Sequence, residues 1–212
     1  MSKKLLIIGA GDLGQLMAHH LNQSNDFELI GFLDDTKAVG DIVCSKPILG
    51  GIADIEALYS KKDFDEVLIA IGYKHLDFKE KLFNELKVMN IPLAKFIHES
   101  VILDSSAQIG EGSFLLPWVV LDKEVKLGSC VLLNTGVVIA HDTQVGDFCF
   151  LGPAVSLAGF IKIAAKSFLG INTTIIDNIE ISVPIQTGAS ATIVKNISTP
   201  GLYLGTPAKL KY

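Results

Sequence analysis

The residues best suited to chemistry are His141 and Asp142, in the run Val137-Val138-Ile139-Ala140-His141-Asp142. An imidazole beside a carboxylate is the minimum apparatus for moving a proton near neutral pH. Asn134, seven residues earlier, adds an amide able to orient a substrate amine. The other histidines carry weaker signals. His19 and His20 read as surface or boundary residues of a helix, and His75 as a substrate contact or a helix start. His98 reads as a hydrogen-bonded packing residue. A second constellation is Gly9-Ala10-Gly11-Asp12-Leu13-Gly14, followed about twenty positions later by Asp34-Asp35. Glycines between a strand and a helix let a ligand phosphate approach the helix N-terminal amides. The same string also describes a tight turn with no ligand. No cluster of cysteine and histidine has zinc-ligand spacing, so no metal is expected.

The element that must position His141 is a six-residue rhythm. Val119, Val125, Val131 and Val137 form one ladder, which runs from Val101 to Ile197 with only small or apolar residues. Two positions later Leu115, Leu121, Leu127, Leu133 and Ile139 form a second. Neither a helix nor a long strand gives that period. Short strands joined by corners do, with two inward side chains flanking one outward residue. The pattern predicts a β-helix, in which stacked coils share one core and one hydrogen-bond ladder. Gly110, Gly128, Gly146, Gly152, Gly170 and Gly188 fall at the corners, where backbone freedom is expected to be needed. His141 lies at a corner beyond both inward rungs, so it projects from the prism edge, where it could reach a neighbouring subunit's ligand.

The glycine loop is positioned by an α/β unit. Lys4–Ile8, Phe27–Leu33 and Asp65–Ile71 read as strands, with Ala94–Ile97 feeding the solenoid at His98. Gln15–Leu21, Gly51–Tyr59 and Leu76–Met89 read as helices. At roughly ninety-five residues the unit is too short for a complete six-stranded dinucleotide fold. A single mononucleotide, such as that of a sugar donor, suits its size. The expected domains are residues 1–97 and 98–212.

Composition narrows the partners. A net charge of −5, a pI near 5.5 and the absence of arginine argue against nucleic acid or an anionic membrane. Cys44, Cys130 and Cys149 read as free thiols of a reducing compartment. The apolar run at the N-terminus is too short for a signal peptide and none approaches a transmembrane span. A cytoplasmic location is therefore expected.

The ordered motifs GAGDLG, FLDD, IAIGY, FIHESVILDSSAQIGEG, NTGVVIAHD and LGTPAK resemble the bacterial sialic-acid O-acetyltransferase and amino-sugar N-acetyltransferase group, over essentially the whole chain. The resemblance implies a Rossmann-like nucleotide-sugar domain followed by a left-handed parallel β-helix. It also implies a homotrimer with acetyl-CoA lying between neighbouring solenoids. His141 matches the general base, Asp142 its acidic neighbour and Asn134 the asparagine near the sugar amine. Gly11, Asp12, Leu13, Asp34, Asp35, Lys37 and Gly72 match nucleotide-sugar contacts. Phe150, Ile171, Gly188 and Ala189 match the CoA groove, and Lys209 could approach the CoA phosphates. Leu13 and Phe150 stand where relatives carry histidines, which bears on the identity of the sugar. The expected activity is acetyl-CoA-dependent N-acetylation of a nucleotide-linked 4-amino-dideoxy sugar. Alternatives are O-acetylation of sialic acid or a related sugar, and a non-catalytic solenoid used for binding or assembly.

Overall fold

A computed structural model describes residues 2–211. The chain divides into two compact units, Met1–Ala94 and Lys95–Tyr212.

The first unit is a Rossmann-like α/β domain. Its elements are β1 (Lys3–Ile8), α1 (Asp12–Leu21), β2 (Phe27–Leu33), β3 (Ile42–Val43), β4 (Lys46–Gly50), α2 (Ile55–Ser60), β5 (Glu66–Ile69) and α3 (Leu76–Val88). The sheet runs β3-β4-β2-β1-β5, parallel throughout except for the β3–β4 hairpin. Leu5 to Ile8 are wholly buried, as a central strand covered on both faces must be. Helix α1 buries Gly14, Met17, Ala18 and Leu21, one stripe at helical spacing. The β3–β4 hairpin has no counterpart in the strands expected from sequence. Pro47 argues against an interior strand, and Cys44-Ser45 make the turn without the usual Asn-Gly, both at positive φ. The other departures are short: β5 is trimmed at both ends, and a 3₁₀ turn at Ile52–Asp54 precedes α2.

The second unit is a parallel β-helix. Its two-residue strands recur every 18 residues in each of three sheets, as in Ile102–Leu103 beside Val120–Leu121 beside Val138–Ile139. Three hexapeptides therefore make one coil. Phe96–Ile97 pairs with Phe114–Leu115, so the first strand of this unit lies before His98. Both ladders are buried: Val119, Val125, Val131, Val137, Leu115, Leu133 and Ile139 have no exposed surface. Only the first coil is open, with Leu103 41% exposed. Hydroxyls on the small ladder are tolerated because they reach corner carbonyls. Ser113 Oγ donates to Gly128 O at 3.1 Å and Thr143 Oγ1 to Ala158 O at 2.9 Å.

The corner glycines serve a different purpose from the one expected. None of Gly110, Gly128, Gly146, Gly152, Gly170 and Gly188 has positive φ. They are needed because the next coil passes too close for a side chain: a Cβ on Gly128 would lie 2.6 Å from Asp147 N, and one on Gly146 2.5 Å from Ala165 N. The left-handed residues come two positions later. They run from Gly112 through Trp118, Glu124, Cys130, Gly136 and Asp142 to Phe148, Phe160 and Asn178, and most are not glycine. Such a conformation costs on the order of 1 kcal/mol for a residue bearing a Cβ. It is held because each turn sends an amide to the coil below, as Asp142 N does to Lys123 O and Phe148 N to Ser129 O.

Candidate active site

His141 and Asp142 occupy one corner of the prism. Asp142 N donates to Lys123 O at 2.9 Å below, and Phe160 N donates to His141 O at 3.1 Å above. Thr143, buried beneath the corner, donates to Ala158 O and accepts Ile161 N at 3.2 Å. The corner is thus tied to its neighbours from both sides. Left-handed φ at Asp142, 58°, is one that aspartate tolerates well. It turns the carboxylate toward the ring: His141 Nδ1 lies 3.0 Å from Asp142 Oδ2. A carboxylate accepts, so Nδ1 carries the hydrogen and Nε2 keeps the lone pair. The imidazole side chain is 46% exposed, open to a ligand.

Two residues that the sequence reasoning missed complete this corner. Gly159 lies one coil above His141, and its Cβ, if present, would meet Cε1, Nε2 and Nδ1 of the imidazole at 2.7, 2.9 and 3.2 Å. The ring therefore lies against the Gly159 backbone. The Phe160 ring meets the imidazole edge to face, centroids 5.1 Å apart and planes at 86°. The available signal was arithmetic, since Gly159 follows His141 by the 18-residue coil length seen in the strand pairing. At this phase of the coil other amides are capped by side chains: Lys123 N donates to Asp122, Ser129 N to Asp147 and Thr135 N to Asn134. Ala140 and Ala158 precede His141 and Gly159 and offer no cap. Among the described residues the Gly159 amide has no hydrogen-bond partner.

Asn134 is not brought to His141 within one chain. It sits on the preceding prism edge, with the strand Val138–Ile139 between. Its Oδ1 accepts Thr135 N at 2.8 Å, leaving the NH₂ group and one lone pair for a ligand. The same edge carries three of the residues expected to line a CoA groove, Ile171, Gly188 and Ala189. Gly152, Ile171, Gly188 and Ala189 stack along it, with Ser190 N donating to Ile171 O at 2.9 Å. Ile171 is 52% exposed, and Gly170, Gly188 and Ala189 beside it are small. Phe150 lies on the adjoining face, stacked on Phe168 at 5.2 Å. Lys209 lies beyond the last coil, lining a cavity of about 340 Å³ with Lys195, Asn196 and Thr199.

In the first unit the loops that follow β1, β2, β4 and β5 gather at the carboxyl end of the sheet. Ile8 is level with both Leu33 and Ile69, and β1 and β5 flank the switch point of the strand order. Gly9 has φ +101°, and a Cβ on it would meet Ala70 O at 2.9 Å. Gly11, the N-cap of α1, and Gly72 face open space instead. Asp12 and Leu13 begin α1. The two carboxylates are already engaged. Asp34 Oδ2 accepts Ala10 N at 2.7 Å, and Oδ1 accepts Thr36 Oγ1 and N at 2.6 and 2.9 Å. Burial works against its charge, but those hydrogen bonds, with Lys37 nearby, outweigh it and hold the carboxyl below its ordinary range. Asp35 Oδ1 accepts Ile52 N at 2.8 Å. Both residues brace the loops that surround the crevice.

The remaining histidines have local roles. His98 Nδ1 bonds Ser100 Oγ at 2.8 Å, His75 is the N-cap of α3, and His19 and His20 end α1. Among the described residues no group of three or more potential ligands could hold a metal ion, and no helix is long and apolar enough to cross a membrane.

Residues 4–86 match the PglD N-terminal domain family. A search of curated proteins gives no match. Among solved structures, the acetyltransferase domain of PglB from Neisseria gonorrhoeae FA1090 is 26% identical with a TM-score of 0.90, covering 99% of this chain and 100% of that one. A second structure of that domain is a complex with acetyl coenzyme A. PerB from Caulobacter crescentus, solved with CoA and GDP-perosamine, is 27% identical with a TM-score of 0.90, covering 99% of this chain and 97% of that one. WeeI from Acinetobacter baumannii AYE is 26% identical with a TM-score of 0.82, covering 97% of this chain and 98% of that one. Residues 4–86 thus match the PglD N-terminal domain family, and over nearly its whole length the chain is similar to solved sugar acetyltransferases of the hexapeptide-repeat kind.

Proposed function

We propose that the protein transfers the acetyl group of acetyl-CoA to the amine of a nucleotide-linked amino sugar, a 4-amino-dideoxy sugar in the finer reading. The observation that carries this is the His141–Asp142 pair: an exposed imidazole with Nδ1 bonded to a carboxylate 3.0 Å away and its basic Nε2 available. The neutral amine attacks the thioester carbonyl, and Nε2 takes the proton that the nitrogen sheds as the C–N bond forms. The C–S bond then breaks, and the imidazolium returns its proton to the departing thiolate. The uncapped Gly159 amide is the candidate donor to the oxyanion, since it adjoins the ring that accepts the proton.

The pantetheine arm is assigned to the edge of Ile171, Gly188 and Ala189 with Phe150 on the adjoining face, and the CoA phosphates to Lys209. The nucleotide is assigned to the crevice of the first unit, against Gly11, Asp12, Leu13, Asp34, Asp35, Lys37 and Gly72. PerB, with GDP-perosamine and CoA bound, supports the pairing of substrates. Asn134 and His141 lie on different edges of one prism, which favours a homotrimer in which a sister chain's edge supplies the second residue to each site.

The test is His141→Ala, assayed by thiol release from acetyl-CoA with UDP-, dTDP- and GDP-linked amino sugars and their hydroxy counterparts. Turnover should fall by about 10²-fold or more, the range for loss of a positioned base, with acetyl-CoA affinity by calorimetry nearly unchanged. Wild-type turnover in the variant would refute the assignment of the base. Thiol release with hydroxy sugars alone would refute N-acetylation.

A further inference from the structure

Phe160 is placed against the grain of its own chemistry. A bulky residue in the left-handed region, φ 58°, is uncommon, and Phe160 is 54% exposed. The equivalent corner one coil further on carries Asn178 at φ 59°, a residue suited to both the conformation and the solvent. The left-handed turn by itself does not call for a phenylalanine here. What the ring touches is His141, edge to face at 5.1 Å. The imidazole has Gly159 against its face, Asp142 at Nδ1 and Phe160 beside it. Its main-chain carbonyl is also held by Phe160 N, but that bond needs no particular side chain.

We propose that Phe160 is a positioning residue, whose ring keeps the exposed imidazole of His141 in the one rotamer that joins Nδ1 to Asp142 and presents Nε2 to substrate. The inference rests on His141 acting as the base. A side chain that is nearly half exposed, held only by one hydrogen bond to a carboxylate itself 36% exposed, is otherwise free to swing about χ1 and χ2. The phenyl ring and the glycine backbone close off those rotations.

The experiment uses Phe160→Asn and Phe160→Tyr in the full chain. Asparagine suits the left-handed corner, so Phe160→Asn should melt at or above the wild-type temperature while kcat falls about tenfold, a small misplacement of a reacting group being enough for that. KM for acetyl-CoA should not change, and Phe160→Tyr, which keeps the ring, should restore kcat. A second readout needs no turnover: ring ¹⁵N signals of His141 should show a single Nδ1–H tautomer in the wild type and in Phe160→Tyr, and averaged nitrogens in Phe160→Asn. Wild-type kcat in Phe160→Asn, or unchanged ring signals, would overturn the proposal. Should the wild type acetylate no sugar, the base reading fails, and the ring signals alone decide whether Phe160 holds the imidazole.

Discussion

The sharpest test of the corner geometry is Gly159→Ala. A methyl at that position would sit 2.7 Å from Cε1 of His141, 2.9 Å from Nε2 and 3.2 Å from Nδ1. Carbon atoms rest about 3.5 Å apart or more, so the ring must retreat by about 0.8 Å. A retreat of that size is enough to take Nδ1 out of its 3.0 Å bond to Asp142, because hydrogen bonds fade beyond about 3.5 Å. Displacing a reacting group by about 1 Å costs on the order of 10²-fold in rate, or about 2.7 kcal/mol in the barrier. The fold should not suffer. Gly159 is not among the residues with positive φ, so alanine fits the backbone, and losing a glycine removes freedom from the unfolded chain, about 0.4–1 kcal/mol in favour of folding. The expected outcome is a melting temperature at or slightly above wild type, KM for acetyl-CoA nearly unchanged and kcat down about a hundredfold. Stopped-flow thiol release and calorimetry measure these directly. Wild-type kcat in a variant whose imidazole has demonstrably moved would refute the link between ring position and turnover.

Two further expectations concern stability. Gly128→Ala should destabilise, because its Cβ would meet the backbone of Asp147, N at 2.6 Å and Cα at 2.9 Å, which cannot swing aside. An overpacking cost of about 2 kcal/mol lowers Tm by roughly 5 °C in a chain of this size, and a rise in Tm would contradict the stacking role given to the corner glycines. Asp34 should contribute to stability in a pH-dependent way. Its folded pKa lies below the ordinary value, so its contribution is complete above the unfolded pKa of about 3.9 and is lost as pH falls through the folded value. The Tm difference between wild type and Asp34→Asn, followed by calorimetry, should stay constant above about pH 5 and narrow below about pH 4. A difference that persists undiminished into stronger acid would show that the charge on Asp34 is not what braces the Ala10 amide.

The sequence by itself determined the solenoid and the chemistry at its corner. A six-residue period leaves no other way to bury two ladders such as Val119–Leu121 and Val137–Ile139. Adjacency in the chain made His141 and Asp142 neighbours whatever the fold, and a strand, a glycine turn and a helix marked the α/β unit before any coordinates. What lay beyond local pattern was set by contacts between coils and between loops. Gly159 and Phe160 reach His141 only because one coil closes after 18 residues, a length that the hexapeptide alone does not specify. The corner glycines answer to the backbone stacked above them, not to their own φ. Asp34 turns inward to Ala10 and Thr36, and Pro47 enters a paired strand, because the loops at the end of a parallel sheet share amides that only the assembled domain brings within reach. Period and adjacency are properties of the chain; which atoms stand across from one another is a property of the packed molecule.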